Sequence, residues 1–245
     1  MPAVPRGIQE FLDGYPDFED DLSLSANLEF YSNKRRCKPD NCLIEEIHEH
    51  WRGDYSKLEY KHGFIQWLFP IKEFGMNYES QPLQQHEVDA MKANKEIVAR
   101  VLRSYRLMLD FYGMDLISAK TGLLKRVEPA EKNETRYRNL VRSGHNYLRI
   151  SRILKHLSEM GLERLNAGFL LHVLNEQSEN AELNSSGIRS SMDQFWANCL
   201  RNKEERKWIG QLIEKVREGG EFVFTREMYE QALARREETG SFAEA

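Results

Sequence analysis

The stretch that decides the fold, residues 84–112, reads QQHEVDAMKANKEIVARVLRSYRLMLDFY. Its apolar side chains recur every three or four positions, the spacing that places them on one face of an α-helix. They are Val88, Met91, Val98, Leu102, Tyr105, Leu109 and Tyr112. Gly113 follows, and glycine commonly ends helices. We therefore predict one continuous helix, about 40 Å long at the usual rise per residue. Because its apolar face would be buried, Leu102→Asp should bury an unpaired charge and unfold the protein.

The helical spacing continues on both sides of this stretch. It predicts further helices near residues 21–31, 41–51, 54–69, 132–142, 145–160, 162–177, 188–202, 203–218 and 225–237. Residues 71–83 and 113–130 carry Gly, Asn and Pro and are predicted as loops. EFVF at 221–224 is strand-like but too short to build a sheet. The sequence therefore predicts an all-α protein, a single globular domain of about eight to ten helices around the long central helix.

Composition sets the domain limits and excludes some functions. Residues 1–20 are rich in Pro, Gly and acidic residues, so we predict a flexible acidic arm there, a helical domain over 21–238 and a tail over 239–245. The chain has 245 residues, 40% hydrophobic and 30% charged, as in soluble globular proteins. Its formal net charge of -4 argues against a general nucleic-acid binder.

The chain has three cysteines, and so small and uneven a number argues against a framework of disulfide bonds. The N-terminus lacks the apolar region of a secretory signal, and no apolar run is long enough to span a bilayer. We therefore expect an intracellular protein, cytosolic or nuclear. NKRRCK at 33–38 is either a nuclear-targeting run or a solvated loop.

The charge distribution points to a candidate ligand-binding site. Residues 135–157 hold six basic residues and no acid. Four basic or potentially basic side chains there share one helical stripe at the edge of the apolar face: His145, Arg149, Arg152 and His156. The stripe could bind an anion, hold a carboxylate of the same chain, or stay solvated. We predict that Arg149 or Arg152 makes an internal ion pair or hydrogen bond, and that a ligand uses the rest of the stripe.

Other residue clusters favour structural roles. Cys37, Cys42, His48 and His50 do not fit a common zinc spacing, so we expect no metal site. No nucleophile, phosphate-loop or dinucleotide motif is found, so we expect neither an enzyme nor a cofactor. The aromatic cluster before Pro70 favours core packing, with Trp67 structural; it comprises Tyr60, Phe64, Trp67 and Phe69.

Two long blocks resemble the opioid growth factor receptor family. NLEFYSNKRRCKPDNCLIEEIHEHWRGDYSKLEYKHGFIQWLFPIKEFGMNYESQPLQQHEV, residues 27–88, resembles its conserved domain. HNYLRISRILKHL, residues 145–157, is similar to a second hallmark of that family. The resemblance covers roughly residues 27–220, and blocks of this length are far more specific than a short motif.

The resemblance implies an intracellular receptor at the nuclear periphery, in the nucleus and in the cytoplasm. It implies enkephalin as the peptide ligand and growth regulation, the restraint of cell proliferation, as the outcome. The best-known member of the family carries a long C-terminal tail with repeats, whereas the given sequence stops near the end of the conserved domain. Functions that rest on the tail are therefore not carried over, and whether the natural chain has such a tail stays open. The resemblance supplies no ligand-contacting residues and leaves the oligomeric state open. The alternative is a module that binds nucleic acid or another polyanion through residues 135–157, which should weaken steeply with salt.

Overall fold

The computed structural model describes residues 4–243, and the predicted all-helical character is confirmed apart from one small hairpin. The α-helices are α1 Arg6–Leu12, α2 Ala26–Tyr31, α3 Ile44–His50, α4 Tyr55–Tyr60, α5 Phe64–Leu68, α6 Gln85–Ala93, α7 Lys95–Tyr112, α8 Ala130–Arg142, α9 His145–Glu159, α10 Glu163–Ser178, α11 Ser186–Gln194, α12 Lys203–Arg217 and α13 Arg226–Thr239. A 3-10 turn covers Trp196–Asn198. Two antiparallel strands, β1 Met114–Ser118 and β2 Leu123–Arg126, form the hairpin.

The described residues hold more helices than the eight to ten expected. One addition is α1, which lies inside the segment predicted as a flexible arm and buries Ile8 and Phe11. The other two come from predicted helices that are each divided in two. Residues 54–69 divide into α4 and α5 because the chain is non-helical around Gly63. Residues 84–112 divide into α6 and α7 at Asn94.

Asn94 breaks the predicted long helix because its backbone is extended, with φ -103° and ψ 107°. Its side-chain oxygen instead accepts from the backbone N–H of Glu96 at 3.0 Å and of Ile97 at 3.3 Å. These groups have no partner within a helix, so the asparagine stabilises the start of α7. The prediction of one continuous helix over 84–112 is therefore wrong.

The residues form two compact units, and α7 belongs almost wholly to the first, residues 15–111 with 159–161, here called the α7 unit. Side chains from α3 and α4 hold α7 in place. His48 Nε2 lies 2.9 Å from Ser104 Oγ, and the Tyr55 hydroxyl donates to Asp110 at 2.8 Å. The buried face of α7 carries Ile97, Val101, Tyr105 and Met108.

The predicted apolar stripe on α7 is rotated from the observed buried face. Val98 and Leu102 are only half-buried, whereas Ile97 and Val101 beside them are buried. Several large apolar residues are adjacent in this sequence, so spacing alone could not separate the two faces. Leu102 is consequently a poorer choice than Val101 for disrupting the core.

The buried carboxylate of Glu87 joins α2 to α6. It accepts from the backbone N–H of Asn27 at 2.9 Å and of Leu28 at 3.0 Å, in the first turn of α2. It also accepts from the backbone N–H of Gln84 at 3.1 Å, where α6 begins. One side chain thus satisfies N–H groups at the starts of two helices, where a negative charge is favourable.

Trp67 is buried, which confirms its predicted structural role in core packing, and it belongs to the α7 unit. Its indole N–H donates to the Lys38 carbonyl at 2.9 Å, and its ring centre lies 5.4 Å from that of Phe30. Phe64 and Phe69 are buried too. Tyr60 is the exception in the predicted cluster: it is 82% exposed, so core packing is wrong for this residue.

The second unit comprises residues 4–14, 112–158 and 162–243, and we call it the α10 unit. It contains the hairpin, in the segment that the sequence predicted as a loop. Met114 and Leu116 of β1 are buried on one face, whereas Asp115 and Ile117 are exposed. This alternation is too short to stand out beside the turn residues around it. EFVF at 221–224, the strand-like patch, is not a strand.

Helix α10 is the core of its unit and packs against β2, α12 and α13. Every residue from Leu165 to Gln177 is buried. The hairpin reaches α10 at Gly168, where an added Cβ atom would lie 1.9 Å from the Gly122 carbonyl oxygen. Gly122 itself has φ +86°, a conformation that other residues rarely adopt. Two glycines therefore allow the two backbones to touch.

Gly168→Ala should destabilise the protein by about 1–3 kcal/mol, because its methyl group overlaps the hairpin backbone, which cannot rotate away. The matched control is Gly144→Ala, where the new Cβ meets Tyr147 at an ordinary 3.6 Å. Urea unfolding of both variants tests the contact. Equal stability of Gly168→Ala and the parent would show that the hairpin does not rest on α10 in this way.

Val101→Asp should unfold the α7 unit, or cost more than about 4 kcal/mol, because it places an unpaired charge in a buried position. Leu102→Asp should cost clearly less, since its site is half-buried. Circular dichroism and thermal melting compare the pair directly. If Leu102→Asp were instead the less stable of the two variants, the stripe predicted from the sequence would be the buried face of α7.

Candidate functional site

The corner between α8 and α9 is held rigidly by Tyr147. Its hydroxyl donates to the Val141 carbonyl at 3.0 Å, across the corner. Its ring lies edge-on to Trp196 at 6.0 Å, and its own carbonyl accepts from the Trp196 indole N–H at 3.1 Å. The side chains that α9 presents at this corner are therefore fixed relative to α8.

The four residues of the predicted stripe fall into two environments. Arg149 is 5% exposed, and its guanidinium donates to the buried Asn146 side-chain oxygen at 3.2 Å. The predicted internal hydrogen bond of Arg149 or Arg152 is thereby confirmed, although this acceptor is an amide oxygen. His156 is fully buried, His145 is exposed and Arg152 is half-buried. The stripe therefore reaches the surface through His145 and Arg152.

An apolar side chain that the sequence analysis missed lies between these two residues. Leu148 is 74% exposed, three positions after His145 and four before Arg152, so the three share one side of α9. We call them the α9 surface. The available signal was a leucine on the polar side of the helical pattern, since the buried face carries Ile150 and Leu154.

The basic segment 135–157 is likewise divided between the surface and the interior. Arg138 and Arg142 on α8 are exposed. Lys155 is buried, as is Arg149, and its ammonium group donates to the Gly7 carbonyl at 2.9 Å. A polyanion would therefore meet fewer cations than the sequence count indicates.

A polar cluster joins the hairpin, α8 and α10, and all its members except the half-buried Arg126 are buried. Arg126 of β2 donates through Nε to Glu176 at 2.9 Å, and the Tyr137 hydroxyl lies 3.0 Å from His172 Nε2. Burial lowers the pKa of His172 to about 3, so the 3.8 Å approach of its Nε2 to Glu176 is not an ion pair. Burial also raises the pKa of Tyr137 well above its ordinary value. At neutral pH both groups are uncharged and serve to join the elements.

The thiols and histidines considered as metal ligands also have structural surroundings. Burial raises the pKa of the Cys37 thiol to about 12, and burial lowers the pKa of His48 to about 4. Within residues 4–243, no three His, Cys, Asp or Glu side chains are grouped as a metal ion would require. Over the same residues, no helix is both long and apolar enough to cross a membrane.

The protein is predominantly helical, and its α9 surface presents Leu148 between His145 and Arg152. Residues 20–231 match the family described as the opioid growth factor receptor (OGFr) conserved region. The chain belongs to the opioid growth factor receptor family, as the two blocks in the sequence indicated.

Curated relatives agree with this assignment. The chain is 38% identical over 215 residues to opioid growth factor receptor-like protein 1 of Mus musculus, covering 86% of this chain and 44% of the relative. It is 38% identical over 206 residues to the opioid growth factor receptor of Homo sapiens, covering 83% and 30%. The chain thus spans less than half the length of these relatives, which are named as receptors rather than enzymes. No solved structure matches it.

The buried His172 predicts how stability depends on pH. Because its pKa is lower in the folded than in the unfolded chain, its stabilising contribution is complete above about pH 6.5 and is lost as pH falls toward 3. Lowering the pH from 7 to 5 should therefore decrease the free energy of unfolding of the parent by about 2 kcal/mol more than that of His172→Gln. Urea unfolding at both pH values measures this difference. The exposed His50→Gln is the control, and a parent-like pH dependence for His172→Gln would contradict the burial of a neutral imidazole.

Proposed function

We propose that the chain is an intracellular regulatory module that binds a short peptide of the enkephalin type and thereby restrains cell proliferation. Membership of a receptor family supports the class of function. The observation that carries the proposal is the α9 surface, where Leu148 is exposed between His145 and Arg152.

The chemistry of that surface fits one end of such a peptide. Enkephalin begins with a tyrosine amine and ends with a free carboxylate. An apolar or aromatic ligand side chain can cover Leu148, which would otherwise stay in contact with water. The carboxylate can accept charge-assisted hydrogen bonds from Arg152.

The rigidity of the α8–α9 corner also favours binding. Tyr147 fixes the start of α9 through two hydrogen bonds: its hydroxyl donates to the Val141 carbonyl, and its backbone carbonyl accepts from the Trp196 indole N–H. The ligand then does not have to order this surface, which lowers the cost of association. Arg149 and His156 belong to the scaffold in this proposal, because both are buried.

A second candidate is the polyanion module, and the exposed side chains of Arg138 and Arg142 favour it. These two residues lie one helical turn apart on α8, close in sequence to His145. Nucleic acid bound there would release counterions, so its affinity would fall steeply with salt. A peptide bound through one carboxylate would respond much less.

We propose a nuclear and cytoplasmic location on the family relationship and not on the basic run at 33–38. Two arginines of that run are engaged within the fold: Arg35 pairs with Glu29 and Arg36 with Glu46, each at 2.7 Å. A targeting receptor would have to compete with these ion pairs.

Calorimetric titration with enkephalin, at low and at high salt, tests the proposal. We expect measurable heat in both conditions, and a loss of at least tenfold in affinity for Leu148→Asp and for Arg152→Gln. Arg52→Gln, an exposed arginine in the α7 unit, is the matched control and should bind like the parent.

Two results would contradict the proposal. An absence of heat at high protein concentration would exclude enkephalin as a ligand of this chain. Parent-like binding by both Leu148→Asp and Arg152→Gln would show that the peptide binds at another surface of the protein. Weak peptide binding together with tight, strongly salt-dependent binding of an oligonucleotide would favour the polyanion alternative.

A further inference from the structure

A short turn in the α7 unit precedes α2 and lies on the start of α6. Within it, the Leu24 backbone N–H donates to the Asp21 carbonyl at 3.0 Å, and the Asp21 side chain accepts from the Ser23 backbone N–H at 2.9 Å. Residues 20–24, here called the entry segment, are all exposed. Burial of apolar surface therefore contributes little to holding the entry segment in place, and polar contacts have to do so.

One imidazole joins both ends of the entry segment to α6. His86 lies in the first turn of α6, and its Nδ1 atom is 3.0 Å from Asp20 Oδ2. Its Nε2 atom is 2.9 Å from the Leu24 carbonyl oxygen. The two contacts are made to residues four positions apart, so the ring spans the whole entry segment.

Both partners of the ring can only accept hydrogen bonds. An ionised carboxylate and a backbone carbonyl have no proton to donate. A neutral imidazole donates through one nitrogen and carries a lone pair on the other, whereas the imidazolium donates through both. The observed contacts of His86 are therefore satisfied only when the ring is protonated. In a neutral ring, one nitrogen lone pair would face an acceptor oxygen.

The surrounding charges favour the protonated ring. The hydrogen bond to Asp20 raises the pKa of His86 above its ordinary value, and the Glu87 carboxylate on α6 acts in the same direction. The Asp21 carboxylate of the entry segment also interacts favourably with the ring. Lys72, from the loop before α6, is directed to the neighbouring Gln85, whose side-chain oxygen accepts from its ammonium group at 2.9 Å.

The two ends of the entry segment depend on the ring to different degrees. Asp20 is also bound through Oδ1, which accepts from the Gln85 backbone N–H at 2.6 Å, and the Asp21 backbone N–H donates to the Gln84 side chain at 2.8 Å. A neutral ring would keep its proton on Nδ1, toward the carboxylate, because a charged acceptor makes the stronger hydrogen bond. The contact of Nε2 with the Leu24 carbonyl is then the one that is lost.

We propose that the entry segment is a pH-sensitive clasp: protonated His86 closes it on the start of α6, and loss of the proton from Nε2 opens its Leu24 end. Opening stays local, because Glu87 still accepts from the backbone N–H groups of Asn27 and Leu28 at the start of α2. The clasp is separate from the α9 surface and does not depend on the enkephalin proposal.

The direction of the pH dependence follows from the two partners. The pKa of His86 is raised in the folded chain, so the contribution of the ring is complete below about pH 6.5 and is lost as pH rises through the folded value. The hydrogen bond from His86 lowers the pKa of Asp20, whose contribution is present above about pH 4 and is lost in more acidic solution. The clasp is thus closed at mildly acidic pH and opens as the solution becomes alkaline.

Nuclear magnetic resonance of the full chain between pH 5.5 and pH 9 tests the clasp. The ring nitrogen signals of His86 report its protons, and the methyl signals of Leu24 report the entry segment. We expect both ring nitrogens to carry protons at pH 5.5, and Nε2 to lose its proton as pH rises. The Leu24 methyl signals should shift with the same midpoint, while those of Leu58, buried in α4, stay in place.

Three variants separate the clasp from a general effect of pH. In His86→Gln, which cannot change its charge, the Leu24 signals should no longer depend on pH over this range. In Asp20→Asn, the midpoints of the ring and of Leu24 should move together to lower pH, because the carboxylate that favours the imidazolium is absent. The matched control is His50→Gln, an exposed histidine in the same unit, which should titrate like the parent.

Three results would overturn the proposal. The first is a His86 ring with only one protonated nitrogen at pH 5.5. The second is a set of Leu24 signals that stay unchanged while the ring loses its proton. The third is a parent-like pH dependence of Leu24 in folded His86→Gln. If a variant loses the parental melting profile, the titration of the parent alone decides between a clasp and a ring that titrates without moving the segment.

Discussion

The contact between Gly122 and Gly168 is the constraint on which the α10 unit depends. Without a side chain at either position, the turn of the hairpin lies directly on α10. The same close approach lets the Tyr229 hydroxyl donate to the Gly168 carbonyl at 3.0 Å while it accepts from the Leu124 backbone N–H at 2.9 Å. Hairpin, α10 and α13 are thus joined at one place, by backbone groups that would otherwise be buried without partners.

The surface that α9 exposes follows from this packing. Asn166 of α10 donates to the Leu154 carbonyl of α9 at 2.8 Å and to the Cys199 carbonyl at 3.0 Å. With α9 fixed in rotation and Tyr147 fixed at its start, Leu148 has to point outward and Arg149 inward. The division of the four-residue stripe between the interior and the surface is a consequence of how α9 is held, and the spacing of the four residues alone does not reveal it.

Patterns with many repeats were predictable from the sequence, because an apolar spacing of three and four sustained over ten or more residues is typical of a helix and of little else. The positions of α8, α9, α10 and α13 follow from it, and the two long blocks identified the family. Short features were not predictable. A hairpin with strands of four and five residues gives too brief an alternation, and a single asparagine divides a helix whose apolar pattern continues across it. In the candidate site, the exposure of Leu148 could have been inferred from its place on the polar side of the helical pattern. The different burial of Arg149 and Arg152, both at the edge of the apolar face, is decided by packing.

Nuclear magnetic resonance of methyl-labelled protein during titration with enkephalin tests most directly whether the exposed part of α9 is the ligand surface. We expect the Leu148 methyl signals to shift progressively with peptide, while those of Ile150, on the buried face of α9, stay in place. Unchanged Leu148 signals at saturating peptide, or shifts centred on residues away from α9 such as Ile8 of α1, would contradict the assignment of the ligand to α9.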